Sequence, residues 1–145
     1  MTSHPNFSGR WQFKATRSAL EIPRPDVVLL VIEHDEPRFR LERTLAFGER
    51  TDTFAIDLRV GADQPPIARG TATLYPSLEW DGDQLVFRTR IVRPGEDEAT
   101  NEVRYRLGQD GTALVADEHF ASTTQHYDNR WVFGKDEPGA RPAGA

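Results

Sequence analysis

The sequence predicts an all-β fold, an antiparallel up-and-down barrel of eight to ten strands. Apolar and polar residues alternate with period two over most of Gly9 to Phe133, the pattern of half-buried strands. Turn signals such as Asp81-Gly82-Asp83, Pro94-Gly95 and Gln109-Asp110-Gly111 separate the apolar segments, as in a meander. The links are of hairpin length, whereas a Greek-key sandwich needs longer connections between its sheets. An eight-stranded barrel is also just wide enough to hold one small ligand.

Trp11, Phe13 and Ala15, set against Arg10, Gln12, Lys14 and Thr16, make the first strand. Ser18 to Ile22 has room for one helical turn, which Pro23 and Pro25 end. Ser18 to Asp26 is expected to be a mobile flap over one barrel mouth, kept out of the sheet by its prolines. Val27 to Glu33 is a continuous Val/Leu/Ile run suited to burial on both faces. Phe39, Leu41 and Leu45 then alternate with Arg38, Arg40, Glu42 and Thr44, and Phe54, Ile56, Leu58 and Val60 with Thr53, Ala55, Asp57 and Arg59. A further strand runs from Ile67 to Tyr75, and after Pro76 a short Leu78-Glu79-Trp80 piece leads into the next turn. Leu85 to Ile91, Val103 to Leu107, Leu114 to Phe120 and Tyr127 to Phe133 complete the set. Residues 1–134 are read as one domain, and the Pro/Gly/Ala-rich residues 135–145 as a disordered tail.

Composition narrows the function. A chain of 145 residues buries about 70% of its extended surface around one core. With 23 acidic against 18 basic residues and a net charge of −5, it is a poor match to nucleic acid, whose affinity comes mainly from Lys and Arg. No run of apolar residues is long enough for a membrane helix. Met1-Thr2-Ser3-His4-Pro5-Asn6 lacks the basic region and apolar run of an export signal, and the chain as it stands is read as cytoplasmic. Without cysteine there is no thiolate ligand or nucleophile. His4, His34, His119 and His126 have no metal-motif spacing, so neither metal nor cofactor is expected. Asp117, Glu118 and His119 cannot form a triad by adjacency, because neighbouring strand residues point to opposite faces.

Asn6-Phe7-Ser8-Gly9-Arg10-Trp11-Gln12-Phe13 places Gly-x-Trp at the start of the first strand, which resembles the opening of lipocalins and fatty-acid-binding proteins, together the calycins. Ile32-Glu33-His34 with Pro37, Arg43-Thr44, Gly48-Glu49-Arg50-Thr51 and Trp80-Asp81-Gly82-Asp83-Gln84-Leu85-Val86 resemble small bacterial lipocalin-like proteins of unsettled function, over most of Phe7 to Lys135. The resemblance implies a lipocalin-like (calycin) barrel closed at its narrow end by Gly9 and Trp11. An arginine near the last strand would pack across that tryptophan, and the position it maps to is Arg130. The sequence departs from the fatty-acid-binding pattern in its short first connection, which cannot form a two-helix lid, and in lacking Arg-x-Tyr in the last strand. The bacterial relatives usually carry an export signal, which makes the periplasm or secretion the expectation if a leader has been removed.

With Trp11, Phe13, Leu41, Leu45, Phe54, Ile56, Phe87, Tyr105 and Phe120 facing the interior, the same registers bring His34, Arg43, Arg69, Tyr75, Thr89, Glu118, Tyr127 and Asn129 inward or to a barrel mouth. Arg43, Arg69, Tyr75, Tyr105, Glu118 and Tyr127 are the candidate ligand-binding residues, since a few polar groups in an apolar lining orient a ligand. Two states of Arg43 are open. Paired with Glu118 it is structural and the ligand needs no charge; free, it favours an acid. Arg38, Arg40 and Arg43 with Arg88, Arg90 and Arg93 are interleaved with Glu42, Glu96, Asp97 and Glu98 and read as cross-strand ion pairs on solvated faces. Three functions fit: a binding or carrier protein for a small apolar or amphipathic molecule, an enzyme acting on an organic acid in the same cup, or a sealed barrel with no ligand. The enzyme reading requires Glu118 and a tyrosine to converge on one cavity, with Glu118 moving a proton and Arg43 or Arg69 holding the acid. Oligomeric state has no signature in the sequence.

Overall fold

A computed structural model describes residues 4–108 and 111–135. Among them run eleven strands: β1 (Gly9–Phe13), β2 (Ala19–Leu20), β3 (Val27–Asp35), β4 (Arg38–Phe47), β5 (Arg50–Arg59), β6 (Ile67–Arg69), β7 (Ala72–Asp81), β8 (Gln84–Val92), β9 (Ala99–Leu107), β10 (Ala113–Ala121) and β11 (His126–Lys135). All eleven belong to one antiparallel sheet, ten of them in the order β5-β4-β3-β1-β11-β10-β9-β8-β7-β6, with β2 paired to β11 off this path. This is a meander whose two arms meet where β1 pairs with β3 on one side and β11 on the other. The edge strands β5 and β6 share no ladder, but the sheet curls until side chains join them. Arg69 Nη2 on β6 donates to Asp52 Oδ2 on β5 at 3.0 Å, and the backbone of the turn after β5 reaches β7, where Gly61 N donates to Leu78 O at 2.8 Å.

The strands follow the alternation. In β3 the apolar run is not buried on both faces as its composition suggests: Val28, Leu30 and Ile32 are inside, while Val27 is exposed and Leu29 and Val31 are half-buried. The hairpin between β7 and β8 turns at Gly82, whose φ of +62° is one an L side chain rarely adopts. The outward arginines pair across strands, Arg38 with Asp57 at 2.9 Å, Arg88 with Glu102 at 2.6 Å and Arg90 with Glu98 at 2.7 Å. The core concentrates at one end, where Phe7, Trp11, Phe39, Leu58, Leu78, Leu85 and Leu114 are fully buried.

Four expectations need correction. The helical turn forms at Ala15–Arg17 and not in Ser18 to Ile22, where Ala19–Leu20 pairs with β11 instead. The prolines lie beyond that pair and do not bar it. Nor is Ser18 to Asp26 a free flap: Val132 N donates to Ser18 Oγ at 2.9 Å, Glu21 N to Asn129 Oδ1 at 2.7 Å and Asp128 N to Glu21 Oε1 at 2.6 Å, and Pro25 is fully buried. The strand read as Ile67 to Tyr75 breaks at Gly70, and β7 then continues through Pro76 to Asp81. Lys135, assigned to the tail, is the last residue of β11. Residues 136–145, and Gln109 and Asp110 of the turn before β10, lie outside the described residues.

Candidate functional site

Away from the packed end the inward side chains leave space. A cavity of about 280 Å³ is bounded by Phe54, Ile56, Leu74, Phe87, Ile91 and Phe120, and one of about 220 Å³ by Ile22, Val28, Leu45, Ala116, Trp131 and Phe133. Leu30, Arg43, Val103, Tyr105, Glu118 and Tyr127 line both. The interior is thus two apolar lobes meeting at a polar waist. Ile22 puts the β2 connection over the smaller lobe, while Arg69 stands at the seam of the larger one, with its guanidinium 4.4 Å from the Phe54 ring centre.

At the waist Arg43 and Glu118 are not hydrogen-bonded to each other. Glu118 Oε1 accepts Asn129 Nδ2 at 2.9 Å and Trp131 Nε1 at 3.0 Å, and Oε2 accepts Asn101 Nδ2 at 3.0 Å. Asn129, buried to 3% exposure, is itself held through Glu21 N. Arg43 makes no ion pair among the described residues, and its Nε is buried without an acceptor. Its guanidinium carbon lies 5.7 Å from the Phe54 ring centre. Burial pushes the Tyr105 phenol far above its ordinary value, with Arg43 opposing and Glu118 adding to the rise. Burial and then Glu118 raise Tyr127 as well. Both phenols are therefore neutral hydroxyls at physiological pH.

Arg43, Tyr105, Glu118 and Tyr127 come together at the waist, with Arg69 at the rim. Tyr75 does not join them. The Gly70 break resets the alternation, so Leu74 and Pro76 line the cavity while Tyr75, 40% exposed, stacks outside under Arg90 at 4.4 Å. Arg130 is likewise outside, bonded to Asp117 at 2.7 Å. The cation over Trp11 is Lys135, its Nζ 5.5 Å from the ring centre. Gly9, at φ +148°, turns the chain where a Cβ would come within 3.1 Å of Lys135 Cε and 3.4 Å of Trp11 Nε1. Trp11 is 1% exposed and donates from Nε1 to Phe7 O at 2.9 Å.

Sequence reasoning missed two groups. Asn101 shares its inward parity with Val103 and Tyr105, and extending that alternation by one step would have found it. The other is the plug of the packed end, of which the alternation placed His34 inward without its partners. His34 Nδ1 accepts the Phe7 N–H at 3.2 Å, so Nε2 carries the hydrogen and donates to Glu36 Oε1 at 2.7 Å. Trp80 Nε1 donates to Glu36 Oε2 at 3.1 Å, and Phe7, Phe39 and Trp80 pack around the imidazole. Glu36 sits in a hairpin turn, where no periodicity marks it. Among the described residues no three His, Asp or Glu side chains are placed to hold a metal ion.

No protein-family model matches the sequence, and no curated protein matches it either. Solved structures match across nearly the whole chain. A fatty acid transporter, REP1-NXSQ, superposes with a TM-score of 0.63 at 9% identity, covering 90% of this chain and 96% of its own. Lipid binding protein 8 of Caenorhabditis elegans gives 0.65 at 12% identity, covering 94% and 99%. Zebrafish ileal bile acid-binding protein, complexed with cholic acid, gives 0.58 at 14%, covering 90% and 98%. At these identities the common property is architecture, and the chain has the fold of the fatty-acid-binding-protein-like calycin barrels.

Proposed function

We propose that the protein binds and carries a small, largely apolar molecule bearing an acidic group, with its apolar part in the two lobes and its acid on Arg43. The observation that carries this reading is the buried Arg43 Nε with no partner in a cavity walled by aromatic and aliphatic side chains. An uncompensated cation there is costly, and a ligand carboxylate supplies both the counter-charge and the acceptor. Tyr105 and Tyr127 stand beside it as neutral donors. Fatty acid, lipid and bile acid are named for structures of the same fold, which supports a ligand of this class. The blocks around His34, Arg43, Gly48 and Trp80 support closer kinship with the small bacterial lipocalin-like group.

Binding is favoured over acid–base catalysis because three N–H donors already occupy the oxygens of Glu118. The test is titration of a fluorescent fatty-acid analogue and a neutral apolar dye against wild type and Arg43→Gln. Loss of the acid alone, by about ten- to a hundredfold as expected for a charged hydrogen bond, supports the reading. Equal retention of both probes by the variant removes Arg43 from recognition, and failure of either to bind wild type leaves a sealed barrel.

A further inference from the structure

Arg43 Nε is not the only unmet polar atom in the lumen. The carboxamide oxygen of Asn101 is also buried, and it accepts no hydrogen bond. Its orientation is dictated by Glu118. A carboxylate can only accept, so the Asn101 group facing Glu118 Oε2 at 3.0 Å must be the Nδ2 amine. The oxygen is thereby turned away from Glu118 and left as an acceptor. Glu118 is held in turn by Asn129 and Trp131, so the amide has no alternative setting.

We propose that Asn101 reads a hydroxyl on the ligand, and that the preferred cargo is a hydroxylated apolar acid; the inference rests on the acid-binding reading of Arg43. A buried acceptor wants a donor, and a hydroxyl is the uncharged donor that an apolar acid most simply carries. Asn101 faces Thr89 on β8 and Phe120 on β10, both in the wall of the larger lobe, which assigns the hydroxyl to the part of the chain in that lobe. In the strand order β9 lies five places from β4, so Arg43 and Asn101 stand on opposite walls and hold acid and hydroxyl at separate points. Sites built to pair a hydroxyl discriminate strongly against analogues that cannot pair.

The test is displacement of a bound fluorescent probe from the full chain by hexadecanoic acid, its monohydroxylated positional isomers and their methyl ethers. An ether oxygen has no hydrogen to give, so it faces the Asn101 oxygen with a second acceptor. The expected result in wild type is one hydroxy isomer at least about tenfold tighter than hexadecanoic acid, with its methyl ether weaker than hexadecanoic acid. Glu118→Gln then supplies a reversal. With Asn129 and Trp131 both donating to the Oε1 position, the glutamine oxygen takes that place and its amine faces Asn101. Asn101 must flip to accept that amine and present its own to the lumen. In this variant the gap between hydroxy acid and methyl ether is expected to fall to within about twofold. Hexadecanoic acid bound through Arg43 without preference for any hydroxy isomer overturns the inference and leaves the carrier reading intact. A wild-type preference that survives unchanged in Glu118→Gln also overturns it, by removing Asn101 as its source. If no acid displaces the probe, both readings fall together. The wild-type comparison stands alone should Glu118→Gln not fold.

Discussion

At the Phe7 end of the barrel both ring nitrogens of His34 and the indole N–H groups of Trp11 and Trp80 have partners, whereas in the open part of the lumen the Arg43 Nε and the Asn101 oxygen have none. Both regions are built from the same alternating strands and the same kinds of side chain. The difference lies in how much is left over. The plug satisfies each of these polar groups and fills its volume, so its interactions all go to the fold. The open part of the lumen holds about 280 Å³ and 220 Å³ of space and keeps two unmet atoms, one at the waist and one in the wall of the larger lobe, which cost stability that a ligand restores.

The largest effect expected from this contrast is at Trp11. Trp11→Ala removes a large buried aromatic and leaves Phe7 O without its donor, and should cost about 3–5 kcal/mol in urea unfolding. Phe87→Ala, in the cavity wall, should cost about 1–2 kcal/mol, because that ring already borders open space and has fewer contacts to lose. Equal losses at the two sites would mean that the cavity wall packs as tightly as the plug.

Arg43→Met is expected to act in the opposite direction. Replacing a half-buried cation whose buried Nε has no partner by an apolar side chain should stabilise the empty protein by about 1–2 kcal/mol while weakening a fatty-acid analogue at least about tenfold. A lower urea midpoint in the variant would show that Arg43 contributes to the fold and would erase the distinction between the two ends.

The plug should carry its own pH dependence. Burial pushes the Glu36 carboxyl up, but the hydrogen bonds from His34 and Trp80 outweigh it and leave the group below its ordinary value of 4.5. A carboxyl depressed in the folded state adds stability that is fully present above the unfolded value and fades as pH falls through the folded one. Since the Glu36 side chain is 48% exposed, solvent limits this contribution to under about 1 kcal/mol. Glu36→Gln should therefore be less stable than wild type at neutral pH, and the gap should narrow as pH falls below the ordinary carboxyl value of 4.5. A gap that persists there would assign the loss to packing and not to charge.

The strand positions and the inward setting of Arg43, Tyr105, Glu118 and Tyr127 were legible because alternation is a local property, repeated at each pair of residues. Tyr75 was misplaced because a single break at Gly70 inverts the parity of everything after it in that segment, and Pro76, read as a terminator, lies within β7. The state of Arg43 was not legible. Whether it meets Glu118 depends on Asn101, Asn129 and Trp131 reaching the carboxylate first, and such competition among four strands leaves no mark in any one of them. The plug was hidden for a related reason: Glu36 lies in a turn, and its partners His34 and Trp80 come from β3 and β7.

The smallest effect concerns which cation covers Trp11. The family resemblance maps that role to Arg130, yet Arg130 faces solvent with Asp117 and Lys135 stands over the indole. An exposed cation–π contact is worth about 0.5–1 kcal/mol, so Lys135→Ala should cost that much. Arg130→Ala should cost less than about 0.5 kcal/mol, since its surface pair is half-exposed and Asp117 keeps Arg106 at 3.8 Å. The Lys135 stem also packs where a Cβ on Gly9 would intrude, and Lys135→Met separates the two contributions by keeping most of the stem and losing the charge. Stability of Lys135→Met midway between wild type and Lys135→Ala would divide the closure between packing and charge. If Arg130→Ala costs more than Lys135→Ala in parallel urea titrations, the cation that closes this end in solution is Arg130, and the setting of Lys135 over Trp11 is incidental to stability.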